Sequence, residues 1–263
     1  MNRIFSKVRA CMRSRSKIFC AFLTLGYPNL ETTEKLISGF EKEGADLVEL
    51  GFPFSDPLAD GPTIQFSSER ALEKKVRFQD AFALVERLRK NACRVPIIFF
   101  SYLNPIFHYG LKEFVKEAVR AGFDGLIVPD LPPEEERELA GECHRHKLAQ
   151  IFLVAPTTEK KRAAAIARRS EGFIYYVSLR GVTGARKNLP SDIARTLHRF
   201  NGMFRKPVLI GFGVSNPKQA RELAHISQGV IVGSAIVDSL RKSHGRIGPV
   251  LKFVREMVRA VKR

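Results

Sequence analysis

Short apolar runs alternate with amphipathic segments along the whole chain. The runs are rich in β-branched and aromatic residues, which favour strands, and none reaches the length of about 20 residues needed to cross a bilayer. The segments between them carry apolar residues at helical spacing, as in NLETTEKLISGFEKEGA and GLKEFVKEAVRAGF. The pattern predicts eight strands, namely KIFCAFLTL, DLVELG, VPIIFFSYL, DGLIVPD, AQIFLVA, GFIYYVSL, KPVLIGFG and GVIVGSA.

Near-continuous apolar strands with helices between them are typical of a parallel sheet that is buried on both faces. Eight strand–helix units in a chain of 263 residues favour a closed (β/α)8 barrel, the TIM barrel, which usually takes about 250 residues. An open doubly wound α/β sheet is the alternative, but no GxGxxG sequence follows the first strand. No linker, low-complexity tract or tandem repeat interrupts the chain, so we predict a single TIM-barrel domain over residues 1–263.

The first 15 residues are basic and contain no acid. Ile4, Phe5, Val8 and Met12 fall at helical spacing within them, so we predict an extra N-terminal helix, residues 1–15, that covers the bottom of the barrel. An organellar presequence is the alternative, but no small-residue cleavage site follows the next apolar run.

The formal net charge of +17 raises nucleic acid or an acidic macromolecule as a partner. The lysines and arginines are spread over the predicted helices, however, and no RNA-binding or helix-turn-helix signature is present, so we predict no nucleic-acid and no membrane partner. The cysteines form no CxxC pair and have no neighbouring metal-type histidines, which predicts no metal site and reduced thiols in a cytoplasm. They are Cys11, Cys20, Cys93 and Cys143.

Glu49 interrupts the apolar second strand, DLVELG. Alternation puts Val48 and Leu50 on the face that packs against helices, so Glu49 points into the barrel near the end where TIM-barrel enzymes hold their reactive groups. Apolar surroundings raise the pKa of a carboxyl group, which suits a group that takes and gives protons near neutral pH. The alternative is a structural carboxylate that is satisfied by a buried partner.

The loop after this strand, GFPFSDPLADGP, carries Asp56 and Asp60. Its three prolines restrict the backbone without forming a helix. The sequence Ala-Asp-Gly around Asp60 is a common turn sequence, so this carboxylate is either a solvated turn residue or a second catalytic group beside Glu49.

Glycines follow the sixth, seventh and eighth predicted strands, in SLRGVTGARKNLP, GFGVSNP and GSAIV. Such glycines let backbone N–H groups approach an anion, and a helix N-terminus adds a favourable dipole, so the pattern predicts a phosphorylated small molecule as substrate. Turns require glycine as well, so a single glycine cluster is weak evidence for a phosphate site. Aromatic residues near the strand ends suit a pocket for a flat aromatic group and fit the barrel core nearly as well; they are Phe22, Phe100, Tyr175 and Phe212.

Taken together, these segments resemble the tryptophan synthase alpha subunit family. The resemblance runs essentially from end to end, through AFLTLGYPN, GADLVELGFPFSDPLADGPTIQ, SYLNPIFHYG, GLIVPDLPPEE, YYVSLRGVTGAR, GFGVSNPKQA and GVIVGSAIV. It implies an eight-stranded barrel that cleaves indole-3-glycerol phosphate into indole and glyceraldehyde 3-phosphate, a carbon–carbon lyase step of tryptophan biosynthesis. It also implies no cofactor in this chain and a beta subunit partner that holds pyridoxal phosphate, in an assembly of two alpha and two beta chains.

The resemblance carries roles over residue by residue. It implies that Glu49 protonates C3 of the indole ring, that Asp60 accepts the indole N–H, and that Tyr175 lies near Glu49 and the glycerol part of the substrate. Thr183 is implied to meet Asp60 when the loops close. The implied indole contacts are Phe22, Phe100, Ile127 and Phe212, the implied phosphate contacts are Gly184, Gly213, Gly233 and Ser234, and the implied surface toward the beta subunit includes Asp56, Pro57 and Asn104.

Arg180 departs from the family, which usually has small or hydroxyl residues just before Gly-Val-Thr-Gly. It leaves open the alternative of a catalytically impaired alpha subunit that acts mainly as an allosteric activator of the beta subunit. Intact Glu49 and Asp60 argue against that alternative. Indole-3-glycerol phosphate synthase, another phosphate-binding barrel, is disfavoured because its chemistry calls for a lysine inside the barrel, whereas Lys17 and Lys206 stand at strand starts.

Overall fold

The computed structural model describes residues 2–177, 189–200, 203–211 and 213–263. The strands in these residues are β1 (Ile18–Thr24), β2 (Leu47–Gly51), β3 (Ile97–Phe100), β4 (Gly125–Ile127), β5 (Ala149–Gln150), β6 (Leu153–Val154), β7 (Ile174–Val177), β8 (Val208–Gly211) and β9 (Gly229–Val232). They form one sheet in the order β5-β4-β3-β2-β1-β9-β8-β7-β6, and every neighbouring pair is parallel.

The two ends of this sheet belong to one short segment, residues 149–154. Its first half, β5, pairs with β4, and its second half, β6, pairs with β7. Between them, the N–H of Ile151 donates to Leu126, and Phe152 accepts from the N–H of Tyr175, both at 3.1 Å. The sheet therefore closes on itself, and β5 with β6 occupies the place of the fifth predicted strand.

The helices follow the strands along the chain. Those in the described residues are α1 (Arg3–Arg13), α2 (Leu30–Lys42), α3 (Pro62–Leu72), α4 (Phe78–Lys90), α5 (Leu103–Tyr109), α6 (Leu111–Ala121), α7 (Arg137–His146), α8 (Lys160–Arg169), α9 (Leu189–Arg199), α10 (Pro217–Ile226), α11 (Ser234–Lys242) and α12 (Ile247–Lys262). The prediction of a parallel (β/α)8 barrel is confirmed, whereas a single domain over 1–263 stays a prediction.

Capping residues fix where three of these helices begin or end. The side chain of Asn29 accepts a hydrogen bond from the N–H of Thr32 at 2.8 Å and starts α2. Asn216 caps α10 in the same way, through the N–H of Gln219 at 3.0 Å. Gly122 ends α6 with a φ of 103°, a left-handed conformation that glycine adopts without steric cost.

The N-terminal helix α1 packs against the N-terminal ends of the strands. It buries Ile4, Val8 and Cys11. Ile4 fills space that two glycines leave open, because a Cβ on Gly125 or on Gly172 would lie only 2.7 or 2.6 Å from its side chain. The helix covers the bottom of the sheet at β4 and β7, and it spans Arg3–Arg13 rather than 1–15.

Two buried carboxylates tie helices to this end of the barrel. Asp46 accepts from the N–H of Phe19 at 3.0 Å and pairs with Lys262 of α12 at 3.1 Å. Asp124 accepts from the N–H of Ile97 at 3.0 Å and pairs with two arginines, Arg89 at 2.9 Å and Arg3 at 3.0 Å. Each carboxylate precedes a strand and links it to a neighbouring strand and to a helix through compensated charge.

We expect Asp124→Ala to lower the free energy of unfolding by about 3–5 kcal/mol, because it leaves the guanidinium of Arg89 buried without its carboxylate. Urea denaturation measures this change. Glu73→Ala is the control, since its ion pair with Arg70 joins two side chains that are more than half exposed, and it should leave the unfolding midpoint nearly unchanged. Equal losses in the two variants would show that the Asp124 network does not anchor the barrel.

Candidate active site

A cavity of about 540 Å³ opens at the carboxyl ends of the strands. This is the end at which TIM-barrel enzymes assemble their reactive groups. Its wall is formed by strand ends and by the loop that joins β2 to α3. The wall brings together seven residues singled out from the sequence, namely Phe22, Asp60, Phe100, Tyr175, Gly213, Gly233 and Ser234.

Glu49 lies in β2, fully buried beneath this cavity, and its register partner on β1 is the cavity residue Phe22. Its Oε1 accepts a hydrogen bond from the thiol of Cys20 at 3.7 Å, and its Oε2 has no hydrogen-bond partner among the described residues. Burial raises the pKa of Glu49 from 4.5 to about 8, while the bond from Cys20 acts in the opposite direction. The carboxyl group is therefore protonated near neutral pH and is able both to give and to take a proton.

Asp60 is held at the cavity by Tyr102. The hydroxyl of Tyr102 donates to Oδ2 of Asp60 at 3.1 Å and accepts from the N–H of Ala59 at 2.9 Å. Gln65 donates to the carbonyl of Asp60 at 2.8 Å. Burial raises the pKa of Asp60 from 3.8 to about 6, and the Tyr102 bond lowers it in part. Asp60 is thus a partly desolvated carboxyl group in the cavity wall rather than a solvated turn residue.

Two aromatic side chains fit inside the barrel because the neighbouring strand carries a glycine beside each of them. A Cβ on Gly51 would lie 2.5 Å from the ring of Phe22, and a Cβ on Gly211 would lie 2.4 Å from the ring of Tyr175. Phe22 also meets Phe100 edge to face, with ring centroids 5.7 Å apart. These rings give the cavity an apolar wall of the kind that a flat aromatic group can contact.

Tyr175 lies close to both carboxyl groups of the site. Burial, followed by the charge of Glu49, holds the pKa of its hydroxyl well above the ordinary value, and Asp60 adds to the same effect. The hydroxyl is therefore a neutral hydrogen-bonding group over the whole range in which Glu49 and Asp60 titrate.

The N-terminus of α11 meets the cavity through Gly233 and Ser234, which are its cap and first residue. The first turn of this helix contains no acidic residue. Gly213, on the neighbouring loop, has a φ of 79°, which favours glycine. Unpaired N–H groups and the positive end of the helix dipole make this corner suitable for an anion.

The other positions singled out from the sequence fall in three places. Ile127 is fully buried on β4 and is not among the residues that line the cavity. Asp56 and Asn104 are exposed, and Pro57 is half-buried. Thr183, Gly184, Phe212 and Arg180 lie outside the described residues.

Two residues that contact the predicted acids were missed. Tyr102 is 2% exposed and holds the Asp60 loop, yet its sequence context, SYLNP, indicates only the start of a helix. Cys20 looks like an ordinary apolar strand residue. The period-2 alternation that places Phe22 inside the barrel also places Cys20 there, and this was the available signal.

In the described part of the chain, no group of three or more His, Cys, Asp or Glu residues has the arrangement to hold a metal ion. Within the same residues, no helix combines the length and the apolar character required to span a membrane.

A parallel (β/α)8 barrel with a buried carboxyl group beneath a cavity at its carboxyl end has the organisation of the TIM-barrel enzymes. Within that class, the model of the family described as Tryptophan synthase alpha chain matches residues 8–262. The chain belongs to this family. Membership supports the alpha subunit role and a lyase role in tryptophan synthesis. It does not favour the alternative of a catalytically impaired alpha subunit that acts mainly as an allosteric activator.

Individual relatives match over nearly the whole chain. A tryptophan synthase alpha chain from Geobacter sp. (strain M21) is 47% identical over 245 residues, which cover 93% of this chain and 91% of the relative. One from Caldanaerobacter subterraneus is 42% identical, covering 98% and 97%. The crystal structure of the alpha subunit from Legionella pneumophila str. Paris superposes with a TM-score of 0.92 at 34% identity, covering 99% and 98%.

The raised pKa of Glu49 makes stability depend on pH. Between 4.5 and about 8 the unfolded chain releases this proton while the folded chain keeps it, so the free energy of unfolding falls as the pH rises through this window. Glu49→Gln cannot ionise. The unfolding free energy of this variant, measured in urea, should therefore increase relative to that of the wild type by up to a few kcal/mol between about pH 5 and about pH 8. Glu69→Gln, at an exposed position, is the control and should follow the wild type. Parallel curves for Glu49→Gln and the wild type would contradict a raised pKa.

Proposed function

We propose that this chain is a carbon–carbon lyase that cleaves indole-3-glycerol phosphate into indole and glyceraldehyde 3-phosphate. The observation that carries the proposal is Glu49, a fully buried carboxyl group with a pKa of about 8 that has no cationic partner in the described residues. Family membership supports this substrate class, and the cavity offers an apolar wall beside a corner that suits an anion.

In the proposed reaction Glu49 protonates C3 of the indole ring. The ring becomes an indolenine cation, which acts as an electron sink. Loss of the proton from the hydroxyl on the adjacent glycerol carbon lets its O–H electrons form the aldehyde, while the electrons of the carbon–carbon bond restore the indole. Glu49, ionised after the first step, accepts that proton, so it acts as acid and then as base.

Asp60 and Tyr175 complete the proposed chemistry. Asp60 as a carboxylate accepts the indole N–H and stabilises the positive indolenine, and its pKa of about 6 leaves it mostly ionised near neutral pH. Tyr175 offers a neutral hydroxyl to the glycerol part of the substrate. Different pKa values for Glu49 and Asp60 let one group hold a proton while the other holds a charge.

The anion-binding corner at Gly213, Gly233 and Ser234 would hold the substrate phosphate through backbone N–H groups and the dipole of α11. This interaction positions the substrate without taking part in proton transfer. Binding energy from a remote phosphate is of the kind that enzymes use to orient the reacting carbon atoms. Thr183 and Gly184 belong to the same proposal through the resemblance, as do Phe212 and Ile127 for the indole.

We propose that the chemistry requires no cofactor in this chain, because acid/base groups and hydrogen bonds suffice for each step above. The four cysteines are free and buried, in keeping with a reducing cytoplasm as the proposed location. Pyridoxal phosphate would belong to the beta subunit.

The proposed partner is a tryptophan synthase beta subunit, in an assembly of two alpha and two beta chains. The proposed contact surface includes Asp56, Pro57 and Asn104. Two exposed apolar side chains stand beside these positions, Leu58 at 89% and Phe107 at 65% exposure. Large apolar side chains on a surface of polar residues support a role in partner binding.

The test is indole formation from indole-3-glycerol phosphate by the purified chain, with and without a cognate beta subunit. We expect cleavage that rises when the partner is added. Glu49→Gln should lower the rate at least 100-fold, the order of magnitude for loss of a general acid/base, while it still stimulates the beta reaction. Glu69→Gln should retain the wild-type rate. Equal, negligible cleavage by wild type and Glu49→Gln, with the beta reaction stimulated, would overturn the lyase proposal and favour a regulatory subunit.

A negative charge at the anion-binding corner should weaken substrate binding selectively. Ser234→Asp puts a carboxylate in the first turn of α11, where it favours the helix but repels phosphate. We expect KM for indole-3-glycerol phosphate to rise about tenfold or more, corresponding to about 1.4 kcal/mol, without loss of thermal stability. Ser234→Ala, which keeps the backbone N–H groups, should change KM much less. Equal KM values for the two variants would contradict a phosphate site here.

A further inference from the structure

The carboxyl group of Glu49 has one described hydrogen-bond donor, the thiol of Cys20 in the adjacent strand. Both side chains are fully buried, and Sγ lies 3.7 Å from Oε1, within the range for a bond from sulfur. Oε2 has no partner among the described residues. The two oxygens of the carboxyl group are therefore in different environments.

The strand geometry puts the thiol deeper in the barrel than Glu49, farther from the carboxyl ends of the strands. Cys20 and Phe22 share one face of β1, and Phe22 is the register partner of Glu49. Phe22 lines the cavity, so Cys20 lies one residue pair deeper in the barrel. The thiol meets the carboxyl group from the side away from the cavity mouth.

A thiol is a weak hydrogen-bond donor, so it favours the ionised form of the carboxyl group only slightly. An arginine or lysine in the same place would favour the ionised form so strongly that the carboxyl group could not hold a proton near neutral pH. An aliphatic side chain would leave both oxygens without an anchor. The thiol restrains one oxygen at little cost to the proton affinity of the group.

We propose that Cys20 is a positioning residue for the proposed lyase reaction: its thiol holds Oε1 of Glu49 and leaves Oε2 to exchange the proton with the substrate. The inference rests on the proposed function. It differs from a packing role because it requires the S–H bond and not only the volume of the side chain.

The groups around the pair keep the thiol in its donor form. Tyr175 faces Glu49 from β7, Asp60 stands in the cavity wall, and Asp46 lies at the base of β2. Burial, and then the charge of Glu49, hold the pKa of the Cys20 thiol well above its ordinary value. The thiol stays protonated while Glu49 titrates, so its donor role persists through the working range.

The test is the pH dependence of indole formation by the full chain carrying Cys20→Val or Cys20→Ser. Valine removes the donor at similar volume and should raise the apparent pKa assigned to Glu49 by roughly half a unit to one unit. Serine keeps a donor and should bring this pKa back toward the wild-type value. Cys143→Val, at a buried cysteine of α7 away from the cavity, is the control and should leave the profile unchanged. Identical profiles for Cys20→Val and the wild type would overturn the inference.

An infrared measurement separates this inference from the proposed function. The S–H stretching band of Cys20 is assigned from the difference between wild type and Cys20→Val. It should move to lower frequency as the pH is raised through the titration of Glu49, and it should stay fixed in Glu49→Gln. A wild type that releases no indole but shows this shift would refute the lyase while retaining the Cys20–Glu49 bond. A band that ignores pH in the wild type would refute the bond whatever the activity.

Discussion

A carboxyl group that is deprived of both water and a cation is the constraint on which this structure depends. Two of the other buried carboxylates, Asp46 and Asp124, are compensated by lysine or arginine at the N-terminal ends of the strands. Glu49 has only a thiol beside it, and burial raises its pKa to about 8, so it keeps its proton near neutral pH. The molecule is divided accordingly: ion pairs at one end of the barrel anchor its helices, and a neutral, protonated group at the other end is available for chemistry.

The interior around Glu49 is shaped by pairs of large and small residues. Phe22 and Tyr175 lie over the neighbouring strands β2 and β8 because Gly51 and Gly211 have no side chain to obstruct them. Gly211 belongs to GFGVSNP, a segment whose glycines also suit a turn or a phosphate-binding site. The rings of Phe22 and Tyr175 show that a strand-end glycine in a barrel can serve packing as much as ligand binding. Tyr102 fixes the carboxyl group of Asp60 through a hydrogen bond, although it is not among the residues that line the cavity.

The order of the elements was predictable from the sequence because hydrophobic periodicity reports burial, and a parallel barrel buries its strands on both faces. The alternation of side chains along β2 likewise predicted that Glu49 points into the barrel. The division of the fifth predicted strand into β5 and β6 was not predictable, because the two halves differ in their pairing partners rather than in their apolar character. Tyr102 was missed because its contact with Asp60 joins two loops that lie far apart in sequence. Ile127 was assigned through family resemblance and stays a prediction; it is fully buried on β4, where its register partner is the cavity residue Phe100.

The short seam formed by β5 and β6 affects whether this sheet can pair with strands of other chains. An open sheet exposes two rows of unpaired backbone groups, and such edges recruit strands from other chains. In the described sheet both edges coincide in residues 149–154, and each offers two laddered residues that are already paired within the molecule. Resistance to strand addition is thereby built into the topology, so the large positive charge of the chain is not required for it.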